Sequence, residues 1–141
     1  MTIPDILPRL NRAFAQAAAS TGVVSAYLFG SYSLGRAHRE SDVDLAVLLR
    51  HSRYPTARER FEVRLRLVAQ LQPAIVRPLD LVVLNDAPPL LARRIVTGGL
   101  RVFCSDAEED HAFVRDVQLR AADLAPFLRR TQQIKLAAIA R

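Results

Sequence analysis

Apolar positions along this chain change period several times, and each change marks an element. Ile6, Leu7, Leu10, Phe14, Ala17 and Ala18 recur at three- and four-residue spacing, which predicts a helix over residues 4–20. Thr2 or Pro4 can start it and Gly22 ends it. The run "VVSAYLF" (23–29) is rich in β-formers and predicts a strand. "GSYSLGRAHRES" (30–41) reads as a polar turn with a short helical piece, and "DVDLAVLL" (42–49) as a second strand. Beyond the loop "RHSRY", Pro55 opens a helix to about Gln72. Its predicted apolar stripe is Phe61, Leu65, Val68 and Leu71, with Arg58, Arg60, Arg64 and Arg66 mostly off it.

Pro73 and Pro78 bracket the next connection, and "LDLVVLN" (79–85) predicts a third strand. Asp86 and two prolines open a short helix that Gly98 and Gly99 close. "LRVFC" (100–104) predicts a fourth strand at a sheet edge. "SDAE" then forms a capping box, Ser105 at the N-cap and Glu108 three residues on. The last helix starts acidic and ends basic, as the helix dipole favours, and Pro126 is expected to kink or end it. Residues 129–141 are expected as a mobile or partner-docking tail. The pattern predicts a single α+β domain over residues 1–141. It has a small mixed sheet of about four strands, with helices mainly on one side.

Composition narrows the class. With 141 residues, half of them hydrophobic, the chain can bury a real core. It has no apolar run near the roughly 20 residues needed to span a bilayer. The N-terminal segment lacks the layout of a signal peptide. One cysteine, Cys104, excludes an internal disulfide framework and a cysteine-rich zinc site. The expected location is cytoplasmic. The net charge of +6 is carried almost wholly by arginine, Lys135 being the single lysine. That suits a nucleic acid, a phosphorylated small molecule or an acidic protein partner, and charge alone does not separate them.

Three features carry chemistry. Asp42 and Asp44 are one residue apart on a strand, so both carboxylates share a face while Val43, Leu45 and Val47 take the other. Such a pair repels and resists burial unless arginines, solvent at a strand end or a divalent metal compensate. Mg²⁺ takes carboxylate oxygens and keeps phosphates and water as its remaining ligands. Second, Gly30 and Ser31 directly follow a strand, where glycine allows a sharp turn whose N–H groups can face phosphate. Arg36 and Arg39 stand close enough in sequence to add positive charge there. Third, Asp80 opens another apolar strand. If that strand lies beside 42–49, three carboxylates could hold two metal ions for an in-line displacement. Gly-Ser, ten residues, then Asp-x-Asp fixes four positions, a chance match on the order of 1 in 1,000 at background frequencies.

"GSYSLGRAHRESDVDLAVLL" resembles the GSX10DXD signature of the DNA-polymerase-β-like nucleotidyltransferases. "PLDLVVLNDAPPLLARRIVTGGLRVFC" and the short length are similar to the minimal nucleotidyltransferase (MNT) branch, which includes the MntA-type antitoxins of HEPN/MNT toxin–antitoxin pairs. The resemblance implies the nucleotidyltransferase fold and Mg²⁺-dependent transfer of AMP from ATP to a tyrosine hydroxyl of a HEPN ribonuclease toxin. It implies that Gly30 and Ser31 grip the triphosphate, that Asp42 and Asp44 bind two Mg²⁺ ions, and that Asp80 binds the catalytic ion and helps deprotonate the acceptor. Arg36 is placed with the nucleotide-binding set.

Two other readings stay open: transfer to a small-molecule or RNA hydroxyl, and neutralisation of a partner by docking without catalysis. Direct nucleic-acid binding is disfavoured because the aromatics are few and not interleaved with the arginines. His38, His51 and His111 lack metal-ligand spacing, and Cys104 is expected as a small core residue.

Overall fold

The computed structural model describes residues 3–30 and 42–139. The elements run α1 (Ile3–Thr21), β1 (Val23–Phe29), β2 (Val43–Leu49), α2 (Ala57–Leu71), β3 (Leu79–Val83), α3 (Pro89–Gly98), β4 (Leu100–Cys104) and α4 (Ala107–Ile139). The strands form one mixed sheet in the order β3-β2-β1-β4. β1 pairs antiparallel with β2 and with β4, and β2 pairs parallel with β3. A parallel pair needs a crossover, and α2 provides it. The α+β class, the mixed sheet and β4 at an edge are as the sequence pattern predicts.

Helices cover both faces, not mainly one. Ile6, Leu10, Phe14 and Ala17 of α1 pack with Val63, Leu67 and Leu71 of α2 against Ala26, Leu28, Val43, Leu45, Val47 and Leu49. On the opposite face Val24, Tyr27, Ala46 and Leu48 meet Ala92 and Ile95 of α3 and Val117 of α4. The reason is β2: both of its alternating sets are apolar beyond Asp44, so each face needs a covering layer.

The phase of α2 also departs from the predicted stripe. Phe61 and Leu65 are 55% and 52% exposed, while Arg60, Val63, Leu67 and Leu71 are buried. Both sets have helical spacing, so periodicity alone could not choose. Arg60 decides it by reaching Asp86 with two donors: Nε lies 3.0 Å from Oδ2 and Nη2 lies 2.8 Å from Oδ1. Its Nη1 donates to the Tyr54 carbonyl at 2.9 Å.

At α4 the cap is Asp106 rather than Ser105. Asp106 Oδ1 accepts from the Glu109 N–H at 3.1 Å, and Arg50 bonds both Asp106 and Glu109. The Glu109 N–H and Arg50 hold the Asp106 carboxyl below the usual range. The Ser105 hydroxyl donates instead to the Val23 carbonyl at 2.6 Å. Pro126 does not end α4, which continues to Ile139. Proline there leaves only the Ala122 carbonyl without its helical donor, and both residues are exposed, so water can serve that carbonyl. Among the described residues no helix is long and apolar enough to cross a membrane.

The phase of α2 gives a direct test. Leu67→Ala should cost about 2–5 kcal/mol in urea unfolding, whereas Leu65→Ala should stay within about 0.5 kcal/mol. Equal losses would contradict the packing described.

Candidate active site

One corner of the sheet gathers the β1 end and the starts of β2 and β3. Asp44 is the Cα partner of Phe29 on β1 and of Asp80 on β3. Parallel register therefore sets Asp44 and Asp80 side by side on the α3 face of the sheet. The Val43 N–H donates to the Pro78 carbonyl at 2.9 Å, which fixes that register at its first step. Asp42 lies one step before β2 and is exposed. Asp44 is half-buried and Asp80 exposed.

Burial, then the Asp80 and Asp42 carboxylates, push the Asp44 carboxyl above its usual range. Arg64 stands beside Asp80, its Nη2 4.0 Å from Asp80 Oδ1. Arg64 also donates from Nε to the Leu81 carbonyl at 2.6 Å, so it crosses the outer edge of β3. The pattern of α2 gives no sign of this, because it places Arg64 only among the residues mostly off the apolar stripe.

Gly30 ends β1 with φ +70°, a conformation that favours glycine. A Cβ built there would lie 2.3 Å from Asp44 Oδ2. The Asp44 carboxylate thus occupies the space that the missing side chain leaves. Ser31 and Arg36, and with them Gly35, His38 and Arg39, lie outside the described residues. His51 and His111 are exposed, and Cys104 is half-buried with a free thiol.

Helix α3 forms the wall above this corner, a feature the sequence motifs did not mark. On its β1 side Phe29, Gly30, Leu91, Arg94, Ile95, Gly98 and Gly99 enclose about 330 Å³. On its β3 side a wider groove of about 620 Å³ runs between α2, β3 and the start of α3. Leu91 borders both cavities.

The donor chemistry suits a hard divalent cation. Asp44 and Asp80 are register neighbours, and burial, then the Asp80 and Asp42 carboxylates, raise Asp44. Among the described residues no three such groups close into a cage by themselves. An open set suits Mg²⁺, which is held by one or two carboxylates while substrate phosphates and waters complete its shell.

The profile of a family described as polymerase beta, nucleotidyltransferase matches residues 14–108. The chain belongs to this family. It is 33% identical over 93 residues to the protein adenylyltransferase MntA of Shewanella oneidensis. That match spans 66% of this chain and 63% of MntA, so the chain covers somewhat under two thirds of its curated relative. A crystal structure of a toxin–antitoxin with AMP-PNP superposes with TM-score 0.62 and 25% identity, over 92% of this chain and 98% of the other. The structure of a tri-AMPylated Shewanella oneidensis HEPN toxin in complex with an MNT antitoxin gives TM-score 0.59 at 21% identity, over 99% and 100% of the two chains. At that identity the second likeness speaks to the fold alone.

The raised Asp44 carboxyl has a signed consequence. The folded state keeps this proton above the pH at which the unfolded chain releases it. Folding stability therefore falls as pH rises through that window, and stays lower above it. Without divalent ions at neutral pH, Asp44→Asn should melt higher than the unaltered protein, and added Mg²⁺ should raise the melting temperature of the unaltered protein more. A thermal melt with and without chelator reads both effects.

Gly30→Ala tests the close approach. The new Cβ must displace the Asp44 carboxylate or the turn, and the left-handed backbone adds about 1–2 kcal/mol of strain. Nucleotidyl transfer should fall about a hundredfold, as expected for a displacement near 1 Å in an active site, with the fold retained by circular dichroism.

Proposed function

We propose that this protein is an adenylyltransferase that moves AMP from ATP to a tyrosine hydroxyl of a HEPN ribonuclease toxin, and so acts as its antitoxin. The observation that carries the reading is the side-by-side register of Asp44 and Asp80 against Gly30. It sets an acidic pair next to a turn suited to a triphosphate. The likeness to MntA and to the toxin–antitoxin structures supports the choice of acceptor.

The Gly30–Ser31 turn, with Arg36 nearby in sequence, binds the triphosphate of ATP. Asp42, Asp44 and Asp80 would hold two Mg²⁺ ions, which when bound neutralise charge on the α-phosphoryl and pyrophosphate oxygens. Asp80, the outermost of the set, faces the acceptor and takes the tyrosine proton. The phenolic oxygen bonds to the α-phosphorus, the bond from that phosphorus to the bridging oxygen breaks, and pyrophosphate leaves. Arg64 restrains Asp80 from the edge of the sheet. Its 4.0 Å distance at an exposed carboxylate leaves Asp80 able to move toward an acceptor.

A protein acceptor also suits α4. Leu119, Phe127 and Ile134 are 68%, 60% and 70% exposed on a 33-residue helix that extends well beyond its contact with the sheet. This face would hold the partner in place.

The test is transfer of label from α-labelled ATP to a HEPN protein encoded beside this chain, in the presence of Mg²⁺. Label should appear on a tyrosine of the partner, and Asp44→Ala should lower the rate at least about a hundredfold. No transfer by the unaltered protein, or equal transfer by the variant, would sink the proposal.

A further inference from the structure

Strand β3 is an outer strand of the sheet, and the groove of about 620 Å³ runs along its free edge. Backbone groups of such a strand point alternately into the sheet and away from it. The Pro78 carbonyl accepts from Val43 and so faces inward, as Asp80 and Val82 then do. Leu81 and Val83 face outward. The Leu81 carbonyl bears this out, since it accepts from Arg64 Nε at the outer edge. A carbonyl that takes a donor from a neighbouring helix can take one from a chain laid beside it. A charged side chain there also guards the edge against unwanted strand pairing.

The walls of the groove select what chain would fit. Pro88 and Leu91 stand on the α3 side, and Arg58, Phe61 and Arg64 on the α2 side. Phe61 is more than half exposed, a large apolar ring left open beside a strand edge. Asp86 also lines the groove, but both its carboxylate oxygens are held by Arg60. Arg58 is paired with Glu62, its helix neighbour at 3.7 Å, with both side chains well exposed, an arrangement worth little. The rim is therefore cationic and apolar, and it suits a segment that carries an acid.

Spacing sets where that acid must be. The Arg60–Asp86 and Arg64–Asp80 contacts fix α2 antiparallel to β3, with Arg58 toward the Val83 end and Arg64 at the Asp80 end. From Arg58 to Arg64 the helix rises about 9 Å, and three residues of extended chain span about 10 Å. An odd separation also puts two side chains on opposite faces of a strand. A residue on the α3 face beside Asp80 thus has its third neighbour on the α2 face, level with Arg58.

We infer that the free edge of β3 takes an extended segment of the acceptor protein as a fifth strand, setting the tyrosine beside Asp80 and an acidic residue, three positions away, at Arg58. The inference rests on the adenylyltransferase reading for the identity of the acceptor. Main-chain bonds to Leu81 and Val83 hold the segment in register, and Phe61 covers it from the α2 side. An N–H of the segment replaces Arg64 at the Leu81 carbonyl. The acid lies about 10 Å from Asp80, far enough for salt to screen their repulsion.

The experiment uses the full chain and the HEPN protein encoded beside it, with α-labelled ATP and Mg²⁺. Hydrogen exchange at the Leu81 and Val83 amides should slow at least about tenfold on mixing. Mass spectrometry should place AMP on a tyrosine with an acid three residues away. Arg58→Glu should raise the KM for the partner about fivefold or more, while the KM for ATP changes by less than about twofold. Changing the partner's acid to lysine should do the same to the unaltered protein. The two changes together should restore the KM, which a merely structural role would not do. Should Arg58→Glu melt well below the unaltered protein, Phe61→Ala is read instead, with the partner's KM raised about tenfold. Unprotected amides, no acid at that spacing, or a KM indifferent to these changes overturns the assignment. So does the same protection in the protein alone as its concentration rises, which would put a second copy on the edge. Failure of the broader reading looks different: no AMP reaches the HEPN partner at all.

Discussion

Asp44 and Asp80 are held side by side by the parallel register of β2 and β3, and the rest of the fold has to make that arrangement stable. Two carboxylates next to each other repel, and the half-buried one is pushed toward its protonated form by burial, by Asp80 and by Asp42. Nothing local rewards the pairing. It is imposed by the strand behind it. From Leu45 to Leu49 every residue of β2 is buried, on one face against α1 and α2 and on the other against α3 and α4. A one-residue slip would exchange the contents of the two faces and break both layers, so the register is fixed by packing well away from the acids. Asn85 secures the far end, accepting from the Leu49 N–H at 2.9 Å and donating to its carbonyl at 2.8 Å.

Polar ties between layers follow the same logic. Arg60 spans from α2 to Asp86, just before α3, and so ties the start of α2 to the turn that launches the wall of the site. Tyr27 donates to buried Asp110 at 2.7 Å, and Arg101 reaches the other oxygen of that carboxylate at 3.0 Å. This joins β1, β4 and α4. Burial and the Asp110 contact push the Tyr27 hydroxyl well above its ordinary range, so it stays a donor at any pH at which the protein works. Such networks add little net energy over an apolar core, but they fix which layer meets which. A site that depends on one residue of register needs that kind of fixing.

What the sequence could and could not convey divides along this line. The carboxylates and the glycine were legible because each breaks a local rule: acids inside apolar strands, and a Gly-Ser pair where a strand ends. The neighbouring placement of Asp80 required only that its strand pair with β2, and it does. The phase of α2 was not legible, since Phe61, Leu65 and Val68 recur with the same helical period as Arg60, Val63 and Leu67. The choice came from Asp86, distant in sequence. The cap of α4 was misread for a similar reason: Ser105 has the right chemistry for a cap, but the start of β1 offers its hydroxyl a carbonyl, and Asp106 takes over. The covering of both sheet faces was legible in principle, in the unbroken apolar run of β2. Ser31 and Arg36 are outside the described residues, so their part rests on the motif.

Strand order then orders the chemistry. Reading across the sheet, β1 brings Gly30, β2 brings Asp44 and β3 brings Asp80, so the corner has a glycine side and an acidic side. Helix α3 lies over the boundary, with Leu91 bordering the cavities on both sides. On the β1 side the cavity is the smaller one and ends at the C-terminus of α3. On the β3 side the groove is about twice as large, with exposed Phe61 and the edge of β3 along it. The same asymmetry fits the proposed group transfer. In the proposed reaction the sheet would supply the acids and the turn, α3 would separate the two reactants, and the shaping of the acceptor would be left to the molecule that carries it.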